Sequence, residues 1–317
     1  MILSVLLLLV ILSALLCGAG NIIGELFAGK LSDEMLLILR DIRLPRVLGA
    51  AAAGSLLALA GCCVQLLFRN PLSSPHVLGS VNASALGAVL VLALGCHSLG
   101  FVLSGSCAGA AVSMIFLMAL GRSRERIGTL LLAGIALNAF TSALMSGLLF
   151  VAGERLEGLV FWLLGGFWRL DWLRSNVLLA ATLVLLPLGW LMRHEMNMLY
   201  LGENAAAHAG VDTRKVVAGA VLFSSLATAL VVGNCGVIGF VGLLIPHVAR
   251  RFFGGDFGIM LLSSALLGAV LTVLADLAAR MLFAPLEIPV GVLTSMLGAP
   301  FFLLIILQRI KRGSMDV

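Results

Sequence analysis

Apolar runs of roughly twenty residues follow one another along almost the whole chain, and the linkers between them are too short to hold a folded domain in water. Hydrophobic residues make up 61% of the sequence and charged residues 11%, against about 25% charged in an ordinary soluble domain. Candidate spans run over 3–24, 46–68, 76–96, 98–120, 127–151, 174–192, 214–232, 237–252, 259–281 and 290–308. The chain therefore reads as an all-α polytopic membrane protein of about ten transmembrane helices, with 1–317 as a single transmembrane domain. A catalytic domain in water is excluded.

The net charge of +5 sits in loops between apolar runs, so it speaks of orientation in a membrane rather than of nucleic acid. With the N-terminus in the cytoplasm, Arg69, Arg122, Arg124, Arg126, Arg193, Arg214, Lys215, Arg250, Arg251, Arg309, Lys311 and Arg312 fall inside. Lys30, Arg40, Arg43, Arg46, Arg155, Arg169, Arg174 and Arg280 fall outside, a tally of 12 to 8 that accounts for all 20 basic residues. The outer cluster Arg40, Arg43 and Arg46 runs against the positive-inside trend and calls for a use of its own. The first residues lack a basic start and lead into further spans, so an uncleaved first helix is expected.

Several motifs fail on inspection. Gly24-Glu-Leu-Phe-Ala-Gly29-Lys30 imitates a phosphate-binding loop, but Leu31 stands where a Ser or Thr must hold magnesium. His194-Glu195 opens a zincin-like pattern whose second His is replaced by Met198. No G-x-S-x-G elbow is present. The six cysteines show no C-x-x-C spacing and sit in or beside apolar segments, where Cys acts as a small hydrophobe. No metal, cofactor or catalytic residue is expected on this chain.

Few polar groups enter the spans. Asp276 and Arg280 stand one helical turn apart and suit an intrahelical ion pair. Glu287 precedes Pro289 and suits a carboxylate facing the start of the last helix. Asn138, Thr141, Ser142 and Ser146 form one polar stripe, readable equally as interhelical hydrogen bonding or as the wall of a water-filled pathway. Gly105-x-x-x-Gly109 suits close packing within the bundle. The segment 154–172, with Trp162, Trp168 and Trp172 among glycines, suits an interfacial loop with a short helix. The break at 193–215 places Glu203, Ala207 and Gly210 on one face of a short helix, where small residues permit close docking of another body. Prolines interrupt apolar runs at Pro71, Pro75 and Pro246, and Pro-His-Val recurs at 75–77 and 246–248 as a short echo of two halves.

Read together, RLPRVLGAAAAGSLLALAGCCVQLLFRNPLSSPHVLG (43–79), LLLAGIALN (130–138), FWLLGGFWRLDW (161–172), NMLYLGENAAAHAGVD (197–212), GVIGFVGLLIPHVARR (236–251) and EIPVGVLTSMLGAPFFLLIIL (287–307) resemble the permease subunit of the ABC importers for iron-siderophores, haem and cobalamin. The segments keep the family order over nearly the whole chain.

The resemblance implies a type II importer fold and a second permease copy or paralogue. Two separate ATPase subunits would carry ATP and magnesium, and a substrate-binding protein would dock on the outer face. It places Arg43, Arg46 and Arg280 at binding-protein docking. It places Gly202, Glu203, Ala207 and Gly210 at ATPase coupling, and Ile127, Gly128 and Thr129 at a cytoplasmic constriction where Ile127 departs from the family's small polar residues. With Asn138, Ser142 and Ser146 these form the expected pathway and gate. A bacterial or archaeal inner membrane follows, with iron-siderophore or haem ahead of cobalamin as cargo. An ion-coupled secondary carrier is the rival reading.

Overall fold

The computed structural model describes residues 2–17, 32–120 and 126–311. The imitation phosphate loop at Gly24–Lys30 and the charges Arg122, Arg124 and Arg312 lie outside the described residues. The helices are α1 (Ile2–Leu16), α2 (Leu44–Leu67), α3 (Ser80–Ala93), α4 (Leu99–Leu120), α5 (Arg126–Val151), α6 (Leu156–Leu163), α7 (Trp172–Leu191), α8 (Arg193–Leu201), α9 (Glu203–His208), α10 (Thr213–Cys235), α11 (Val241–Phe253), α12 (Phe257–Met281) and α13 (Val290–Lys311). A short helix, Asp33–Leu37, and a π-helical turn, Ile38–Arg43, lead into α2.

Among the described residues, six helical stretches are long and apolar enough to cross a bilayer: 33–67, 99–120, 127–151, 172–191, 213–235 and 257–281. The shorter apolar helices α1, α3 and Val290–Leu304 of α13, together with α11, occupy the remaining expected span positions.

Helix α2 is the hub, buried at nearly every position from Pro45 to Leu67. Its run of Ala, Gly and Ser removes the side chains that would hold neighbours away, so contact is made backbone to backbone. A Cβ on Gly54 would lie 2.2 Å from the carbonyl oxygen of Gly268 in α12, and one on Gly61 would lie 1.9 Å from that of Gly242 in α11. Hydroxyls and an amide then stitch the close helices together: Thr272 Oγ1 donates to Ala50 O at 2.7 Å, Ser55 Oγ to Ala265 O at 2.9 Å, Ser175 Oγ to Pro45 O at 2.6 Å and Gln65 Nε2 to Leu243 O at 2.9 Å. Each such bond contributes about 0.6 to 2 kcal/mol in a membrane. Gly105 and Gly109 pack within the subunit, against the backbones of Gly87 and Ala83 in α3.

Two spans begin later than the hydrophobic pattern predicts. The run from residue 76 opens as a 3-10 turn, Pro75–Leu78, and α3 starts only at Ser80, because Pro75 fixes the entry and Gly79 takes φ +72°. The run from 237 stays irregular until Val241, held by Gly236 at φ +73° and by Phe240 at φ +63°. The Trp-rich segment holds the expected short helix, α6. Trp162 is 4% exposed and packs in a secondary core with Leu92, Val102 and Val232, so its indole stabilises the bundle and only Trp172 keeps substantial exposure.

Gly54→Val should therefore destabilise the permease by about 3 kcal/mol or more, since the added atoms meet immovable backbone. Gly128→Ala, with open space around it, should leave the melting temperature of the detergent-purified protein unchanged.

Candidate functional site

Three stretches of non-helical or helix-end backbone meet inside the bundle. Gly166 N–H donates to Cys235 O at 2.8 Å, and Gly291 N–H donates to Gly165 O at 3.1 Å. The approach is close enough that a Cβ on Gly165 would sit 2.1 Å from Val237 O. Backbone outside helices is tolerated at membrane depth only where protein satisfies it or where it lines a cavity, and both conditions hold here. A cavity of about 650 Å3 opens beside the junction, lined by Ser74, His76, Leu163, Leu164, Val237, Gly239, Phe240, Leu243, Gly291, Val292, Ser295 and Met296. Its walls come from the 3-10 turn, the end of α6, the start of α11 and the start of α13. Pockets of this size, mostly apolar with a few polar groups, are the usual form of a small-molecule site.

The polar stripe on α5 serves this junction at one end. Asn138 Nδ2 donates to the carbonyl of His76 and so satisfies the 3-10 turn, while Thr141 Oγ1 donates back to Leu137 O at 2.8 Å. Lower on the stripe, Ser142 Oγ accepts from Asn82 Nδ2 at 3.0 Å, and Ser146 Oγ donates to Ser142 O at 3.0 Å. Ser142, Ser146 and Gly128 face outward, with Ile127 and Thr129 half-buried on the first turn of the same helix. These residues stand on α5 and do not line the cavity.

The arginines singled out in the sequence converge on a buried charge network. Arg46 donates to both oxygens of Asp276, at 2.8 and 3.2 Å, and to both oxygens of Glu287, at 2.9 and 3.1 Å. Arg280 Nε approaches Asp276 Oδ2 at 3.1 Å. The Asp276–Arg280 pair is thus present, but its carboxylate is shared with α2. Glu287 does not face the start of α13 as its position suggests, because Arg46 is within reach and takes both of its oxygens. The side chains of Arg46 and Arg280 are 9% and 8% exposed and that of Asp276 is 1% exposed, whereas Glu287 stands at the rim with 40%. Arg43 donates to Leu15 O at 2.8 Å, and Arg280 Nη2 donates to Ala14 O at 3.2 Å. Two cations therefore complete the last turn of α1, where the helix dipole favours positive charge. Arg40, by contrast, is exposed.

The break at 193–215 folds into α8 and α9. Gly202 at φ +131° separates them, and Gly210 at φ +79° turns the chain after α9. Because α9 ends at His208, Gly210 is not on its face but closes its end, with its N–H donating to Ala207 O at 3.0 Å. Ala206 is buried, while Ala205, Ala207 and His208 are presented outward and Glu203 is half-buried. Asp212 caps α10, and the Lys215 backbone N–H and ammonium hold its carboxyl below the usual carboxylate range.

Sequence reasoning missed what carries this segment. Asn197 Nδ2 donates to Asp256 at 2.7 Å while its Oδ1 accepts from Phe257 N–H at 2.8 Å, and Arg250 lies over the ring of Tyr200 and donates to its hydroxyl at 3.1 Å. Tyr200 is the one tyrosine in the chain, a signal that could have singled it out.

The profile of the FecCD transport family matches residues 1–308. The hemin transport system permease protein HmuU of Yersinia pestis is 36% identical over 97% of this chain and 96% of its own length. The vitamin B12 import system permease protein BtuC of Escherichia coli is 38% identical over 96% of this chain and 94% of its own. A solved structure of a metal-chelate type ABC transporter in an inward-facing conformation superposes with a TM-score of 0.88 at 30% identity, covering 96% of this chain and 97% of that one.

Removing one member of a buried ion pair leaves the other uncompensated, at a cost of about 3–5 kcal/mol, whereas an exposed pair contributes about 0–1 kcal/mol. Arg46→Leu should accordingly lower the unfolding midpoint sharply and Glu287→Gln only slightly, measured by thermal unfolding in detergent.

Proposed function

The chain belongs to the FecCD transport family, and from that premise we propose that it is the membrane-spanning permease of an ATP-driven importer for a bulky metal chelate, an iron-siderophore or haem ahead of cobalamin. The observation that carries the reading is the match along 1–308 together with two relatives whose names give hemin and vitamin B12 as cargo. The chain is a transporter subunit and not an enzyme, and ATP with magnesium belongs to two partner ATPase subunits. Importers of this kind work with a binding protein outside the membrane and a second permease, either a copy of this chain or a paralogue.

The geometry supports a role for each face. Helix α8, held by Asn197 and Tyr200 against α11 and the start of α12, carries α9, which offers Glu203, Ala207 and the turn at Gly202 and Gly210 to the ATPase, so that closure of the ATPase pair moves a rigid lever. Arg43, Arg46 and Arg280 belong to the docking end for the binding protein, where Glu287 and Arg40 are the exposed members that a partner can reach. A multi-charge surface of this sort contributes steering and register. The pathway in this reading runs along α5, where Gly128, Ser142 and Ser146 face outward beside the half-buried Ile127, Thr129 and Asn138. A proton-coupled carrier loses support because the buried carboxylate among the described residues, Asp276, is already engaged by two arginines.

Uptake into proteoliposomes containing this chain, its ATPase and its binding protein should require ATP and all three components for one chelate among iron-siderophore, haem and cobalamin. Uptake by the chain alone on an ion gradient overturns the reading. Glu203→Arg should abolish ATP-driven uptake while the permease remains folded, as read by its melting temperature.

A further inference from the structure

Within the cavity, His76 is the feature that its surroundings do not explain. It sits half-buried on the 3-10 turn and lines both the 650 Å3 cavity and a smaller pocket beside it. Its carbonyl is taken by Asn138, yet among the described residues its imidazole has no hydrogen-bond or ionic partner. Its ring nitrogens are not closed off by protein, so they stand open to whatever enters the cavity. His247, which occupies the matching place in the Pro-His-Val echo, does have an interaction within the protein, so the two positions have different uses. Met296 lines the same cavity and is 68% exposed.

We infer that His76, aided by Met296, is a transient axial ligand for the metal of the cargo, and that the site favours a planar macrocyclic iron chelate of the haem type. The inference rests on the importer reading above and deepens it. Neutral imidazole and thioether are the nitrogen and sulfur donors that take axial positions on haem iron. Leu163, Leu164, Val237, Phe240, Leu243 and Val292 supply a charge-free wall for the flat face of a macrocycle. A hydroxamate or catecholate siderophore leaves its iron fully enclosed by hard oxygen donors and offers the imidazole no position. The step is a ligand exchange: the nitrogen lone pair of His76 forms a bond to iron, a water or other weak axial ligand leaves, and no electron or proton is transferred. With the second donor a thioether, the hold is weak enough for the cargo to move on.

The test uses the permease assembled with its ATPase in lipid nanodiscs, titrated with ferric haem and followed in the Soret and visible bands. The wild type, and a background lacking the exposed His97, His194 and His208, should show the spectrum of nitrogen-ligated iron. His76→Ala should weaken binding by roughly tenfold or more, as expected for loss of a metal-site residue, with free imidazole restoring the spectrum. Met296→Leu should alter the spectrum with a smaller loss. Iron-free protoporphyrin should bind wild type and His76→Ala alike, which shows that the variant keeps its cavity. Equal spectra and affinities in wild type and His76→Ala overturn the inference, as does a parallel loss of iron-free protoporphyrin. A preparation that imports a siderophore or cobalamin with ATP but gives no spectral change with haem sinks this inference and leaves the importer reading standing. Absence of ATP-dependent uptake for every chelate counts against the importer reading itself.

Discussion

The contact between Gly54 and Gly268 decides how the rest of the bundle is arranged. In lipid there is no hydrophobic force to drive helices together, so packing must come from van der Waals contact and hydrogen bonds at short range. Glycine at both positions lets α2 and α12 meet backbone to backbone, and only at that separation can Thr272 reach Ala50 O and Ser55 reach Ala265 O. The same closeness carries Arg46 to Asp276, from the first turn of one helix to the last turns of another. Widening the crossing by one side chain would leave two charges apart in a low-dielectric medium, where each is costly alone.

A second constraint shapes the cavity. Backbone that leaves the helix within a membrane must find partners, and here each irregular stretch satisfies another: residue 166 bonds 235, and 291 bonds 165. The glycines at 165 and 236 are required by this, since both adopt positive φ and both lie against neighbouring backbone. What remains open beside the junction is a space bounded by the ends of elements rather than by their middles. Small rigid-body shifts of α11 or α13 would change its shape without breaking any helix.

Much of this was legible in the sequence because bilayer thickness fixes the length of an apolar run and Pro75 marks where one run is broken; Pro246, expected to interrupt another, lies inside α11, and the break falls before it at 236–240. The alanine and glycine content of 50–61 suits close approach of neighbouring helices, and the structure buries this stretch throughout. Other features were not legible. Hydropathy cannot tell that Trp162 is buried within the protein, since an indole suits a packed core as well as a headgroup. The pairing of Arg46 with Glu287 joins residues 241 positions apart, and local spacing pointed each of them elsewhere. Gly210 fell on a helical face only by continuing α9 past His208, where the positive φ at Gly210 ends it. The roles of Asn197 and Tyr200 depend on α8 lying across the end of α11 and the start of α12, which no period in the chain encodes.

The closing of α1 by Arg43 and Arg280 has a bearing on synthesis. Arg280 is made 266 residues after the carbonyl of Ala14 that it completes, and Asp276 is made 230 residues after Arg46. At a translation rate of about 5–20 residues per second, Arg46 waits on the order of ten to fifty seconds for its carboxylate. Through that interval the nascent α2 carries an arginine at its membrane end with no acidic partner yet made within α12, so it must keep that charge toward the interface or toward the insertion machinery. The bundle can close around α2 only when one of the last helices arrives, and the order of assembly is thereby set by the placement of a single pair of charges.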